Sequence, residues 1–371
     1  MSSISPLCSL PAELLLMVME CLECPSSIRA FAFSYPKALH LLRVHRQRVV
    51  GTAVRAFDRK LPIEKTFGYD VRACRLRLAL RNVAFLDPAE AEQEVCKADF
   101  YGEWCNLKLL CEMTSLNNEI DRFISRYSVH AWSKIQDDYA RVFSHRRAGV
   151  SRFEPYRTVD LTDSELRRLR EAFLGFECKR HHLVYDKTLL HETKLHQATL
   201  LPIYSEDSFS EGYSIHNSFN GACLSIFCFI FQCYENLIRR VDRQLELEES
   251  RQDSEPRRSE LVRIARFRAK TRDEELRYIA LLCLQGYVCL TVAEHYTNGE
   301  LRQFVLGSFM WFCKDGTNNI PDPCGRLVSN LEHFSPENYS NGDTAYEPWS
   351  RGRFFWDQAR MLELRQCVTI D

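Results

Sequence analysis

Glycine is scarce in this sequence, 14 residues in 371. Asn-Gly and Asp-Gly pairs, the strongest short signals of a tight hairpin, are few. That shortage argues against a meander or sandwich of short strands and leaves helical periodicity as the dominant pattern. Net charge is nearly absent, 49 Lys and Arg against 50 Asp and Glu for a formal −1. No global field therefore draws the chain to nucleic acid or to an anionic membrane, and any such contact has to be a local patch. Uninterrupted apolar spans are missing as well. Residues 212–234 carry Ser214, Asn217, Ser218, Asn220 and Gln232, and 278–293 falls short of the roughly 20 residues a bilayer requires. Both are expected to be buried helices of a soluble chain. The N-terminus lacks a cationic start, and Glu13 and Glu20 flank and break the apolar run 14–19, so no secretory signal is expected here.

Motifs that announce catalysis are missing too. There is no GxSxG elbow, no GxxxxGK[ST] phosphate loop and no GxGxxG fingerprint. His191 and His196 superficially suggest a zinc helix, but five residues put them about 140° apart on a helix, too far to share a metal from one face. Cys21-Leu22-Glu23-Cys24 is a lone CxxC without the second pair a zinc site requires or the preceding strand of a thioredoxin-type site. Cys178 with His181 and His182 reads as a packed thiol beside surface histidines. No enzyme activity, catalytic residue, metal site or cofactor is expected. No internal repeat is present, neither WD-type nor leucine-rich.

Cysteine, by contrast, is plentiful at 16 residues. Cys223, Cys228, Cys283 and Cys289 sit inside apolar runs, where a reduced thiol behaves as a small hydrophobe. A long chain of this kind suits a reducing compartment, cytoplasmic or nuclear, better than a secreted disulfide framework. With 45% hydrophobic and 27% charged residues, it can bury a large core and form two or three domains.

Periodicity and breakers predict helices over 28–33, 37–57, 71–82, 88–110 (broken near Gly102) and 117–143. Thr162-Asp163-Ser164-Glu165 is a capping box, followed by Leu166, Leu169, Phe173 and Phe176 at helical spacing. A helix over 219–245 changes from apolar to charged, 251–259 is a polar break with Pro256, and 259–284 returns from charged to apolar. The expected form is a long hairpin whose charged tip, about 239–275, lies in solvent. After Thr317 the chain turns irregular before a last helix over 357–366. Two stretches, 43–48 and 257–272, are basic. The second follows an acidic block of Glu246, Glu248, Glu249, Asp253 and Glu255. The pair is expected to be solvated and complementary, with a nucleic-acid face as the alternative.

Residues 8–22 read CSLPAELLLMVMECL. Setting Glu13 at zero and stepping 100° per residue, the apolar positions from Met17 to Met19 cover an arc of about 200°, twice the stripe one packing face needs. One side is therefore surplus. Either later helices cover it, or it belongs to a partner that takes a helix face.

At these residues the sequence resembles an F-box. Leu10, Pro11, Glu13, Leu14, Leu15, Val18 and Leu22 match its Leu-Pro-x-Glu-Leu/Val-Leu pattern in order and spacing, and the proline breaks after Cys24 and Ser34 fall at its inter-helix turns. The stretch AFAFSYPKALHLLRVHRQRVV is similar to the second half found in a divergent, fungal-type group of F-box domain-containing proteins. LTDSELRRLREAFLGFE and WSRGRFFWDQARM resemble two further segments of that group. The resemblance implies an adaptor in which Leu10, Pro11, Leu14, Leu15, Val18 and Leu22 are contact or core residues toward a Skp-family linker protein. The linker bridges to a cullin and its RING subunit, and the remainder of the chain holds a protein substrate. The expectation is thus an all-α protein, with a three-helix F-box-like module at 5–50 and a large irregular α-helical domain at 51–371. It would act as a substrate receptor of a cullin–RING ubiquitin ligase. The rival is a helical interaction scaffold that keeps the F-box pattern as core and joins no ligase.

Overall fold

A computed structural model describes residues 10–60, 69–82, 106–144, 159–181, 218–251, 258–283, 285–313 and 355–362. Every regular element among them is a helix, so the fold is all-α as expected. By its internal packing the chain divides into two compact units, 1–119 and 120–371.

The first unit opens with α1 (Ala12–Cys21), α2 (Pro25–Ser34), α3 (Pro36–Val44) and α4 (Arg46–Lys60). Pro25 and Pro36 stand at the first position of their helices, where the missing N–H costs nothing and the fixed φ is already helical. The single helix expected over 37–57 is in fact two. The chain turns at His45 (φ −106°, ψ 28°), whose carbonyl then accepts the Arg48 and Val49 amides at 3.1 Å. The turn lets α3 and α4 both pack on α1, while α2 packs on α3. Between them lie Leu15, Leu16, Met19, Ile28, Ala32, Ala38, Leu41, Val49 and Val50, all buried. The N-terminal unit also runs past the expected limit at 50. Ala53, Ala56 and Phe57 are buried on α4, which thus continues the same core. In α5 (Tyr69–Asn82), buried Arg77 reaches Glu112 at 3.5 Å and Glu119 at 2.9 Å on α6 (Leu107–Ser144). The helix expected over 88–110 lies mostly outside the described residues.

The second unit contains the rest of α6, then α7 (Asp163–His181), α8 (Ser218–Arg251), α9 (Arg258–Arg268), α10 (Arg272–Cys283), α11 (Tyr287–His295), α12 (Asn298–Trp311) and a short α13 over 358–362. Helix α8 is the hub: α7, α10, α11 and α12 pack on it, and α9 packs on α12. Its first half buries Ile226, Phe227, Phe229, Ile230, Phe231 and Tyr234, which explains its lack of charged residues. Two aromatic clusters fill the core. Phe123, Tyr127, Phe173, Phe229, Tyr287 and Phe355 form one, with ring centroids 5.2–6.5 Å apart. Phe267, Tyr278, Phe309 and Phe312 form the other. Two of the buried phenols are paired: Tyr287 donates to the Phe173 carbonyl at 2.7 Å, and Tyr278 shares a 2.6 Å bond with the Ser308 hydroxyl.

Two expected long helices are each broken. The run 259–284 is divided between α9 and α10 by Thr271-Arg272-Asp273-Glu274. There the Glu274 carboxylate accepts the Thr271 amide (2.9 Å) and the Thr271 hydroxyl accepts the Glu274 amide (3.2 Å), a capping box that starts a new helix. The run 278–293 is divided at Gly286, whose φ of 86° and ψ of 179° are accessible essentially to glycine alone. Among the described residues no single helix is long and apolar enough to cross a membrane.

Candidate functional site

Helix α1 sorts its apolar residues onto two sides. Leu15 (1% exposed), Leu16 and Met19 (0%) point inward against α3 and α4. On the same angular count they occupy about 200° to 300°. Leu14 is 44% exposed and Met17 55%. Pro11 and Cys21 are also exposed, and Leu10, Val18 and Leu22 are half-buried. Leu14, Met17 and Cys21, and beside them Leu14, Val18 and Leu22, follow at spacings of three and four, so the five form one continuous stripe. The helix is held in this orientation by polar clamps at its edges. Lys37 donates to the Leu10 carbonyl at 2.7 Å, and Glu20 pairs with Arg48 of α4. The apolar surplus predicted from the sequence is therefore an open face, two turns long.

Of the six residues expected at this site, five border the open face: Leu10, Pro11, Leu14, Val18 and Leu22. Leu15 falls on the core side. Met17 and Cys21 belong to the face although the F-box pattern does not name them. The angular count alone places both within the outward arc.

Cys24 follows as the residue capping α2. Its thiol lies 2.9 Å from the Ser26 hydroxyl, and that hydrogen bond, outweighing the effect of burial, holds it below the usual thiol range. Among the described residues no group of three or more His, Cys, Asp or Glu is placed to hold a metal ion. His191, His196 and His182 lie outside the described residues, and Cys178 is buried.

The basic stretch over 257–272 is spent largely within its own unit. Arg266 pairs with Glu274 at 2.5 Å, Arg268 donates to the Leu245 carbonyl at 2.9 Å, Lys270 pairs with Asp242 at 3.0 Å, and Arg272 with Glu275 at 2.7 Å. Arg302 joins Glu248 of the acidic block to Glu260, the latter at 2.8 Å. Complementary charge thus ties α8, α9, α10 and α12 together. The polar break at 252–257 lies outside the described residues.

A cleft of about 620 Å³ opens between α6 and α8, lined by Arg126, Val129 and His130 on one side and Phe229, Gln232 and Cys233 on the other. Arg126 is engaged by Glu294 through two 2.6 Å bonds. Burial, reinforced by the charge of Lys134, pushes the His130 pKa down, and burial raises Cys233 to about 11. Polar residues recurring at helical spacing on α6 and α8 are the one sequence signal that marks this cleft.

No protein-family model matches the chain, and no curated protein or solved structure is significantly similar to it.

Proposed function

We propose that the chain is an F-box-type substrate-receptor adaptor of a cullin–RING ubiquitin ligase, and that α1 presents its outer face to a Skp-family linker protein. The observation that carries this proposal is the division of α1 into a buried and an open apolar side. A helix anchored by Leu15, Leu16 and Met19 has no folding need for Leu14 and Met17 at 44% and 55% exposure. Apolar side chains repeating every third and fourth residue on an anchored helix are what a helix-face recognition mode uses. Coincidence of the stripe with the Leu-Pro-x-Glu-Leu-Leu pattern supports a linker as its owner. The Pro-initiated helices α2 and α3, with α2 packed on α3 and α3 on α1, are in keeping with the same module. Had the stripe been sealed by later residues, the scaffold alternative would have been favoured. The unit over 120–371 would then hold the substrate, and catalysis would be proximity supplied by the recruited subunits.

Co-purification of the tagged full chain with a Skp-family linker and cullin tests the proposal. Binding should be lost in Leu14→Asp and Met17→Asp, while the protein remains folded. Absence of any linker from the wild-type complex rejects the ligase assignment and leaves the scaffold.

A further inference from the structure

Two sequence stretches with no part in the linker face meet in the second unit: the capping box that begins α7 and the aromatic segment near residue 355. Phe355 (0% exposed) and Trp356 (5%) are plugged against α6, Phe355 edge-on to Tyr127 at 5.5 Å and Trp356 beside Trp132 at 5.2 Å. What fastens the plug is polar. Asp357 accepts hydrogen bonds from the hydroxyls of Thr162 and Ser164 and from Arg168 at 2.6 Å. Arg168 also donates to the Phe355 carbonyl at 2.7 Å. Buried Glu165 binds Arg360 through both oxygens at 2.8 Å and accepts the Asp357 amide at 2.9 Å. The Arg360 guanidinium lies over both Trp132 and Trp356.

We propose that Thr162 is a phosphorylation site and that its modification releases the segment 355–362. The side chain is exposed and lies in the non-helical residues 159–162, with exposed Asp160 and Asp163 around it. That charge pattern suits a serine/threonine kinase whose substrate groove is basic. In the reaction the Thr162 hydroxyl attacks the γ-phosphorus of a nucleoside triphosphate. The Oγ1–P bond forms, the β,γ-bridging P–O bond breaks, and the nucleoside diphosphate and the hydroxyl proton leave. The hydroxyl that donated to Asp357 becomes an ester oxygen with no proton to give, and a group carrying nearly two negative charges faces a carboxylate. The phosphate also competes for Arg168 and for the amides at the start of α7, the groups that Asp357 and the capping box now use. Attraction turns to repulsion at the point where the plug is fastened.

The test uses the purified full chain, an acidophilic serine/threonine kinase and ATP, with site mapping by mass spectrometry and hydrogen exchange of 355–362. The expected result is phosphate on Thr162 and exchange of the segment faster by about tenfold or more, the scale of losing one hydrogen bond to a charged group. Protection of α10 to α12 should not change. Thr162→Ala, which deletes the hydroxyl without adding charge, should loosen the segment less, and Thr162→Glu more than Thr162→Ala. No incorporation at Thr162, incorporation with 355–362 still protected, or release by Thr162→Ala as large as by phosphate overturns the proposal.

Discussion

Leu14 and Leu15 are adjacent, chemically identical, and placed on opposite sides of α1, so truncating each in turn separates folding from recognition. Leu15 is 1% exposed. Its replacement by Ala removes buried methyl groups and leaves a void between α1, α3 and α4, at a cost of about 2–5 kcal/mol. At the lower bound this increases opening of the module roughly 30-fold. Leu14 is 44% exposed, so Leu14→Ala sacrifices only the covered part of a side chain whose full burial contributes about 1.5–3 kcal/mol. The expected loss is about 1 kcal/mol or less, near the range of ordinary surface substitutions. Hydrogen exchange of amides in α1 to α4 of the full chain is a suitable assay, because a two-unit protein need not unfold in one transition. Leu15→Ala should accelerate exchange throughout the four helices, and Leu14→Ala should leave it almost unchanged. Equal loosening by both would mean that Leu14 is a core residue and that α1 has no free face.

Further expectations concern the second unit. Glu165→Ala strips a fully buried carboxylate from Arg360 and from the Asp357 amide. It should cost about 3 kcal/mol locally, seen as loss of protection in 355–362. Asp357 is held down to about 2 by the Thr162, Arg168 and Ser164 hydrogen bonds. Because its folded pKa lies below the ordinary carboxylate value, its contribution is fully present above about pH 4 and is lost as pH falls toward 2. Exchange in 355–362, corrected for intrinsic rates, should be flat from pH 8 to 5 and rise only below about 4. Gly286→Ala forces a side chain into a backbone region that only glycine enters easily. It should destabilise the α10–α11 turn by about 1–3 kcal/mol, visible as a lower denaturation midpoint of the second unit.

The helical class, the capping box of α7 and the two-sidedness of α1 were legible because each rests on local spacing. Leu14, Met17 and Cys21 on the open side and Leu15, Leu16 and Met19 on the core side fall where their angular positions place them. The boundaries were less legible. His45 carries no breaker signal, and the turn there follows from both arms packing on α1, a tertiary effect. The break at 271 was marked by Thr271 and Glu274, but those residues stood inside a run of arginines whose charge dominated the pattern. Gly286 was a visible breaker in an apolar run whose composition masked it. The limit of the N-terminal unit depends on where Ala53, Ala56 and Phe57 pack, and periodicity does not say which core a helix joins. The joining of residues 162–168 to 355–360 links positions some 190 apart through side chains individually common in helix starts, so no local pattern reveals it.

The most direct test of the central claim is the binding of a purified Skp-family linker to the full chain and to Leu14→Asp, with exchange in α1 to α4 recorded on the same samples. The expected result is a complex with the wild type, none with Leu14→Asp, and the same protection of the four helices in both. A linker that binds neither protein, or binds Leu14→Asp as well as the wild type, would contradict it.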